Sequence, residues 1–153
     1  MQGAGTNTLL EEFVVKCRAH NLKVTPQRMA IYRKLLHSAA HPTVDAMFQC
    51  VKKEFPNISY DTVSRTLLTF ADIGIVDLVE VYGGAKRFDP NLTNHHHLNC
   101  VSCGQIVDFH NDEFNDLEIP DQVRQGFTVL TSRVVLKGIC EQCSNPGNVS
   151  PLK

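Results

Sequence analysis

The 153-residue sequence lacks any long apolar segment, because no run approaches the roughly 18 residues needed to cross a bilayer. Its first residues also lack the basic and apolar stretches of a secretory signal peptide. Neither sign of charge is in excess, since 15 lysines and arginines stand against 16 aspartates and glutamates and give a net charge of −1. These absences predict a cytoplasmic chain without a membrane partner, and they argue against a strongly basic nucleic-acid binder.

The motifs of common enzyme classes are also missing. The sequence has no nucleophile elbow, phosphate-binding loop or HExxH motif, and no internal repeat or low-complexity tract. With 42% apolar and 20% charged residues it can form a packed core, so the composition argues against a disordered chain. We therefore expect one globular domain or two small ones, and no enzyme.

The near-zero net charge hides an asymmetry between the two halves of the chain. Residues 1–88 contain 11 lysines and arginines against 8 aspartates and glutamates, a balance of +3. Residues 89–153 contain 4 against 8, a balance of −4. A split of this kind indicates that only the first half faces a polyanion.

Four helices are predicted in the first half, because apolar residues recur there at helical spacing. Thr25 followed by Pro26 is a start signal for the second helix, and Thr43 and Ser59 cap the third and the fourth. Gly74 fits the position just after the fourth helix.

A β-hairpin is predicted directly after the fourth helix. Its first strand runs over the β-branched and aromatic residues Ile75 to Tyr82, Gly83-Gly84 forms the turn, and Ala85 to Asp89 return. Helices followed by such a hairpin are the outline of a winged helix-turn-helix domain.

The second half predicts a smaller α/β unit. Pro90 to Asn94 is typical of a linker, short strands are expected at Ile106–Phe109 and Phe127–Lys137, and a helix at Ile119–Gln125. The predicted fold class is therefore α+β. A winged helix-turn-helix DNA-binding domain covers residues 1–88, a hinge covers 89–94, and a small α/β dimerisation domain covers 95–153.

The fourth helix is the candidate reader of DNA, because a helix-turn-helix places its second helix in the major groove. Arg65 lies opposite the apolar stripe, where it can contact guanine or phosphate. The hairpin tip offers cations to the DNA backbone. The predicted DNA-binding residues are Ser59, Tyr60, Thr62, Ser64, Arg65, Lys86 and Arg87. The alternative is a solvated polar face on a bundle helix.

Four of the six cysteines form two C-x2-C pairs, Cys100 with Cys103 and Cys140 with Cys143. Two such pairs complete an all-thiolate tetrahedral shell, which favours one structural Zn²⁺ over iron or manganese. Two disulfides or a redox pair are the alternative. The gap between the pairs exceeds zinc-finger spacing, so we expect the ends of two strands to join them. Cys17 and Cys50 are predicted to be core residues.

Three consecutive histidines precede the first cysteine pair. In an extended chain, residues i and i+2 point the same way, so His95 and His97 share a face and His96 turns away. Asp89 and Asp108 flank the tract in sequence. Imidazole with carboxylate suits Fe²⁺, Mn²⁺, Co²⁺ or Zn²⁺, so a second metal site is predicted. A solvated run or an expression tag is disfavoured because the tract is internal.

Together these motifs resemble the ferric uptake regulator (Fur) superfamily of bacterial metal-dependent repressors. The resemblance runs from Val24 to Cys143. It is carried by VTPQR, HPT before the third helix, SxxTVxRxL from Ser59, RFD from Arg87, HHHLNCVSCG from His95 and CEQC from Cys140. It implies a repressor that binds a pseudo-palindromic operator in double-stranded DNA as a homodimer.

Within the superfamily, the sequence is most similar to the peroxide-sensing (PerR) branch, whose regulatory site uses three histidines and two aspartates. Asp108 distinguishes this branch, since iron-uptake members usually have glutamate there. Carried over by motif, the ligands of a regulatory Fe²⁺ or Mn²⁺ are His41, Asp89, His95, His97 and Asp108.

The resemblance implies that Fe²⁺ and hydrogen peroxide oxidise a histidine ligand, His41 or His95, so that the metal and then the DNA are released. One ion held by ligands from both domains fixes the angle between them. The alternatives are an iron-responsive repressor of iron uptake, a sensor of another metal, and a zinc-only module without DNA binding.

Two positions depart from the family pattern. Members often read TVYR where this chain has Ser64 in place of the tyrosine, so we expect a different operator contact there. Many members also carry a histidine eight residues before the last cysteine pair. Here that residue is Ser132, so no auxiliary metal site is expected to use this position.

Overall fold

The computed structural model describes residues 3–38, 41–79, 81 and 84–145. The chain divides into two compact units, Met1–Leu92 and Thr93–Lys153, and the division falls inside the predicted hinge at residues 89–94. No helix in the described ranges combines the length and the apolar character that a membrane crossing requires.

Four helices form most of the first unit, and three of them begin at predicted caps. They are α1 (Gly3–Ala19), α2 (Pro26–Leu36), α3 (Val44–Lys52) and α4 (Tyr60–Asp72). The side chains of Thr25, Thr43 and Ser59 each accept a hydrogen bond from a backbone N–H in the following first turn. Such bonds satisfy N–H groups that have no partner within the helix. Gly74 follows α4 at φ +70, a left-handed conformation that glycine adopts without strain.

A two-stranded antiparallel sheet follows α4. β1 (Asp77–Val79) pairs with β2 (Arg87–Asp89), with Leu78 opposite Phe88. Both strands are shorter than predicted, and positions 80, 82 and 83 of the predicted strand and turn lie outside the described residues. Helices followed by this hairpin confirm the predicted winged-helix outline.

Apolar side chains from all four helices and the hairpin build the core of the first unit. Phe13 stacks on Tyr32 with ring centroids 4.4 Å apart, and Phe88 of β2 is fully buried. Cys17 lies in this core, as predicted. The same prediction for Cys50 is wrong, because its thiol is exposed on α3. Its neighbour Val51 faces the core, which turns Cys50 about 100° away from it.

The second unit is built on a three-stranded sheet with the order β4–β3–β5. The central β3 (His96–Cys100) runs antiparallel to β4 (Ile106–Phe109) and parallel to β5 (Val135–Gly138). Three short helices complete the unit, α5 (Asp112–Asn115), α6 (Asp121–Arg124) and α7 (Glu141–Ser144). The class is α+β, as predicted.

The predicted strand at Phe127–Lys137 is wrong over most of its length, since β5 begins only at Val135. Phe127 is 78% and Leu130 91% exposed, so the described part of the chain leaves these two apolar side chains largely uncovered. Strand propensity depends on side-chain packing, which is why the residue types alone misled. The helix predicted at Ile119–Gln125 is present as α6.

An apolar row crosses one face of the second sheet. Leu98, Val107 and Leu136 occupy neighbouring register positions on β3, β4 and β5, and each is more than two-fifths exposed. Contiguous exposed apolar surface of this kind is typical of association sites.

Candidate metal centres and DNA-binding surface

The two cysteine pairs lie at one end of the second sheet. Cys100 ends β3, and Cys140 follows β5 by two residues and precedes α7. Because β3 and β5 are parallel neighbours with Cys100 opposite Gly138, both pairs reach the same end of the sheet. This confirms the expectation that two strand ends join them. A turn at Gly104 (φ +76), whose N–H donates to the Cys100 carbonyl, returns Cys103 toward Cys100.

The four sulfur atoms fit one tetrahedral ion. All six cysteines are free thiols, and the sulfurs of the two pairs lie within 4.8 Å of one another. Cys103 Sγ and Cys140 Sγ are 3.8 Å apart. Sulfurs bound tetrahedrally to Zn²⁺ at about 2.3 Å stand about 3.8 Å apart, so the spacing matches a zinc shell.

The electrostatics of this cysteine cluster favour a thiolate at Cys100. Backbone N–H groups of Cys103 and of Cys140 donate to its sulfur and lower the pKa of the thiol to about 6. The contact from Cys140 N to Cys100 Sγ measures 3.3 Å. The thiolate is the form that binds metal, so these backbone groups favour metal binding at Cys100.

His95 and His97 share one side of the chain at β3, as predicted. Their Nε2 atoms are 3.0 Å apart, and both rings are buried. The His95 Nδ1–H donates to the Thr93 carbonyl at 2.7 Å, and Nε2 is directed to His97. A hydrogen bond of this kind on one ring nitrogen orients the other nitrogen of a metal-binding histidine.

Asp108 joins this pair from the neighbouring strand. It lies opposite His97 in the antiparallel register, with Oδ1 3.4 Å from His97 Nε2 and 3.8 Å from His95 Nε2. Adjacent ligands of an octahedral ion with bonds of about 2.1 Å stand about 3.0 Å apart, and tetrahedral ones slightly farther. Three ligand atoms spaced by 3.0 to 3.8 Å therefore fit one divalent cation.

His96 points away from this group, also as predicted. The Val134 N–H donates to its Nδ1 and its Nε2–H donates to the Asn111 carbonyl, both at 3.2 Å. Its ring packs against Phe109 and Phe114 with centroids 5.4 and 5.5 Å away. Both nitrogens are thus engaged within the fold, a role that the sequence did not reveal.

The first unit supplies a second imidazole–carboxylate pair. His41 Nε2 lies 3.4 Å from Asp89 Oδ2, and both side chains are buried. Asp89 ends β2, and its Oδ1 accepts a hydrogen bond from the Asn91 N–H at 2.8 Å. This pair has the donor atoms that suit a divalent transition metal.

The first turns of α4 present the predicted DNA-binding residues at the surface. Ser59 Oγ accepts from the Thr62 N–H at 3.0 Å and lies 2.8 Å from the Thr62 hydroxyl, so the Ser59 side chain also caps the helix. Tyr60 is 45% exposed while its ring packs edge-on against Phe48. Ser64 is half-buried.

Arg65 extends from α4 into solvent, with 80% of its side chain exposed. Its Nε lies 2.7 Å from Asp61 Oδ2, one helical turn earlier. An exposed pair of this type contributes only about 0.3–0.5 kcal/mol, so a phosphate or a base can displace it.

The two predicted cations of the hairpin differ in surroundings. Lys86 is exposed, whereas Arg87 is half-buried and its guanidinium donates to the His41 carbonyl at 3.3 Å. No local pattern predicts this contact, because the two residues are 46 positions apart in the chain.

Known proteins match this sequence along nearly its whole length. The sequence model of the ferric uptake regulator family matches residues 19–137. The peroxide-responsive repressor PerR of Staphylococcus epidermidis is 40% identical over 139 residues, which cover 91% of this chain and 93% of that protein.

Solved structures agree in fold. The Campylobacter jejuni peroxide stress regulator has a TM-score of 0.64 at 28% identity, covering 85% of this chain and 98% of its own. The Helicobacter pylori ferric uptake regulator Fur has a TM-score of 0.74 at 19% identity, covering 92% and 94%, which speaks to the fold alone. These relatives are named as regulators or repressors, and none of them as an enzyme. The chain belongs to the ferric uptake regulator family.

Proposed function

We propose that this protein is a metal-dependent DNA-binding repressor that senses hydrogen peroxide through iron-catalysed oxidation of a histidine ligand. The observation that carries the proposal is the aspartate at position 108, whose Oδ1 lies 3.4 Å from His97 Nε2. The 40% identity to a repressor named as peroxide-responsive supports it. The protein acts in the cytoplasm, on double-stranded DNA, and has no catalytic turnover.

One Zn²⁺ per chain is structural in this proposal. Its ligands are Cys100, Cys103, Cys140 and Cys143, whose sulfur spacing supports a closed shell of four thiolates. A closed shell leaves no position for substrate and keeps each sulfur on the metal, which protects it from peroxide.

One regulatory Fe²⁺ or Mn²⁺ per chain is the sensing metal. Two ligands come from the first unit and three from the second, namely His41, Asp89, His95, His97 and Asp108. An ion that binds both groups favours a single arrangement of the two units. If DNA binds this same arrangement, metal affinity and DNA affinity are linked reciprocally.

When bound, Fe²⁺ would catalyse cleavage of the O–O bond of peroxide beside the ligand imidazoles. One oxygen atom would enter a ring C–H bond, which oxidises the imidazole by two electrons, and the other would leave as water. The protein's own part is to orient these rings: the Thr93 carbonyl fixes the tautomer of His95, and Asp108 faces His97 across the sheet. Oxygen added to His41 or His95 weakens that residue as a ligand. A chain with that residue oxidised would hold the regulatory ion more weakly, and its affinity for the operator would fall with it.

A homodimer presents two copies of α4 to DNA. Ser59, Tyr60, Thr62, Ser64 and Arg65 contact the major groove, and Lys86 contacts the DNA backbone near the hairpin. The position of Arg87 at the hairpin tip predicts the same contact for that residue. Half-sites lie about one helical turn apart, or a multiple of it, in a pseudo-palindrome. The exposed apolar row on the second sheet supports association of two chains there.

Replacement of Arg65 by alanine is expected to weaken operator binding about 5- to 150-fold, because a good arginine–base pair contributes about 1–3 kcal/mol. The operator is obtained by selection from random duplex DNA with the Mn²⁺-loaded protein, and affinity is measured by fluorescence anisotropy. Arg18→Ala on α1 removes the same charge and is expected to change little. Unchanged binding by R65A would favour a zinc-only module that does not read DNA through α4.

Replacement of Asp108 by glutamate is expected to slow peroxide-driven release about 10- to 100-fold while Mn²⁺-dependent DNA binding persists. The longer side chain displaces the carboxylate by about 1 Å, and a displacement of this size is enough for such a loss. Release rates are followed by anisotropy after addition of peroxide to the Fe²⁺-loaded complex. Asp112→Glu, the same change on an exposed residue, is the control. Equal rates of peroxide-driven release for D108E and wild type would contradict the assignment of Asp108 to peroxide sensing.

A further inference from the structure

Three consecutive residues of β2 contact one corner of the chain, His41–Pro42, which leads into α3. The Arg87 Nη1 donates to the His41 carbonyl at 3.3 Å. The Phe88 N–H donates to the Pro42 carbonyl at 3.1 Å. The Asp89 Oδ2 lies 3.4 Å from His41 Nε2. A whole strand thus holds this corner.

The corner has an unfavourable backbone conformation. His41 has φ +43, in the left-handed region that residues with a Cβ adopt rarely. The following Pro42 further restricts the backbone of His41. Such conformations persist only where the surrounding structure holds them. The imidazole is also buried, so solvent does not replace a lost protein contact there.

We infer that Arg87 is a positioning residue for the regulatory metal. By holding the His41 carbonyl, its guanidinium keeps the left-handed backbone that places the imidazole beside Asp89. This inference rests on the proposed function, because it takes His41 and Asp89 to be metal ligands. It changes the predicted role of Arg87, whose guanidinium is directed to the protein backbone while its neighbour Lys86 is exposed.

The same contacts link the metal ligands to the hairpin within the first unit. β2 carries Asp89 at one end and continues directly from Lys86 at the other. An ion on His41 and Asp89 therefore immobilises the strand that positions Lys86. Since coupling is reciprocal, DNA contact at Lys86 also strengthens metal binding.

The test measures Mn²⁺ affinity of the zinc-loaded protein without DNA, from the electron paramagnetic resonance signal of free Mn²⁺. Arg87→Gln keeps a polar side chain but is too short to reach the His41 carbonyl, and it is expected to weaken Mn²⁺ binding about 10- to 100-fold. Arg87→Lys keeps a donor of similar reach and is expected to restore part of the loss. Lys86→Gln removes the neighbouring charge and is expected to leave Mn²⁺ affinity unchanged.

Two outcomes would overturn the inference. In the first, R87Q binds Mn²⁺ as tightly as wild type but loses DNA affinity to the same extent as K86Q, which would make Arg87 a DNA contact. In the second, K86Q weakens Mn²⁺ binding as much as R87Q does, which would mean that Mn²⁺ affinity depends on the positive charge of the hairpin and not on the contact between Arg87 and His41.

Failure of the proposed function has a different signature. In that case His41→Ala and Asp89→Asn leave the Mn²⁺ affinity of the protein unchanged. If these two variants lose Mn²⁺ and R87Q does not, the metal site stands and the role of Arg87 is wrong. Thermal unfolding of the zinc-loaded variants, expected to match wild type within a few degrees, verifies that each is folded.

Discussion

Hydrogen peroxide is expected to release the Fe²⁺-loaded protein from its operator, with a loss of affinity of about 5- to 150-fold, the range of typical allosteric coupling. One oxygen atom is expected on His41 or His95, whose Nε2 atoms face other ligand atoms at 3.4 and 3.0 Å. Anisotropy follows the release, and fragmentation of digested peptides locates the added oxygen. The Mn²⁺-loaded protein is expected to stay bound under the same treatment.

The chain contains its own control for this experiment. His96 lies between the two candidate ligands of the tract, but its ring is buried on the other side and both nitrogens are hydrogen-bonded. It is therefore expected to remain unmodified. Release without oxygen on His41 or His95 contradicts the histidine mechanism. If peroxide causes no release while Fe²⁺ still promotes DNA binding, an iron-responsive repressor becomes the better interpretation.

Replacement of Cys140 by serine is expected to abolish zinc binding and to unfold the second unit. Structural zinc supplies about 10–16 kcal/mol of apparent binding free energy in zinc-finger peptides, as much as the net stability of a typical domain. Cys140 also donates its N–H to Cys100 Sγ and follows β5, so the parallel pairing of β3 with β5 depends on this end of the sheet. Zinc content per chain and amide hydrogen exchange across His97–Cys100 and Val135–Gly138 are the measurements.

Cys50→Ser is the matched control for that variant. It makes the same chemical change at an exposed thiol on α3, and it is expected to leave zinc content and thermal stability unaltered. A C140S protein that retains one zinc per chain contradicts the four-thiolate assignment. One that loses zinc but keeps its amide protection shows that the metal is not needed for the fold.

The helices of the first unit could be predicted because their signals are local. Thr25, Thr43 and Ser59 sit one residue before the helix that each caps, and the buried positions recur at helical spacing. Capping bonds span only three residues, so the sequence contains both partners side by side.

The strands of the second unit were harder to predict because strand pairing is not local. β3 contains two adjacent histidines and an asparagine, residues with little strand preference, and it forms because β4 and β5 lie on either side of it. At Phe127 a strand was predicted where none forms, because the strand-forming residues there have no paired strand beside them in the described chain.

The candidate sites show the same division. Spacing alone predicted the cysteine pairs and the shared side of His95 and His97, because C-x2-C and period-two patterns lie in short segments. His41 entered only through the family resemblance, since no spacing rule connects it to Asp89. Its contact with Arg87 could not be predicted, because the left-handed backbone at His41 has no signature in the sequence and the two residues are 46 positions apart.

The late position of β5 in the sequence affects how the protein folds during its synthesis. The buried core of the first unit lies between Phe13 and Phe88, so this unit can fold while the ribosome is still making the rest. The central β3 is synthesised early, yet its parallel partner emerges at Val135–Gly138 and the second cysteine pair later still. During that interval the chain contains only Cys100 and Cys103, half of the proposed zinc ligands. A nascent chain therefore has the helix proposed to read DNA before it has the second cysteine pair of the proposed zinc site.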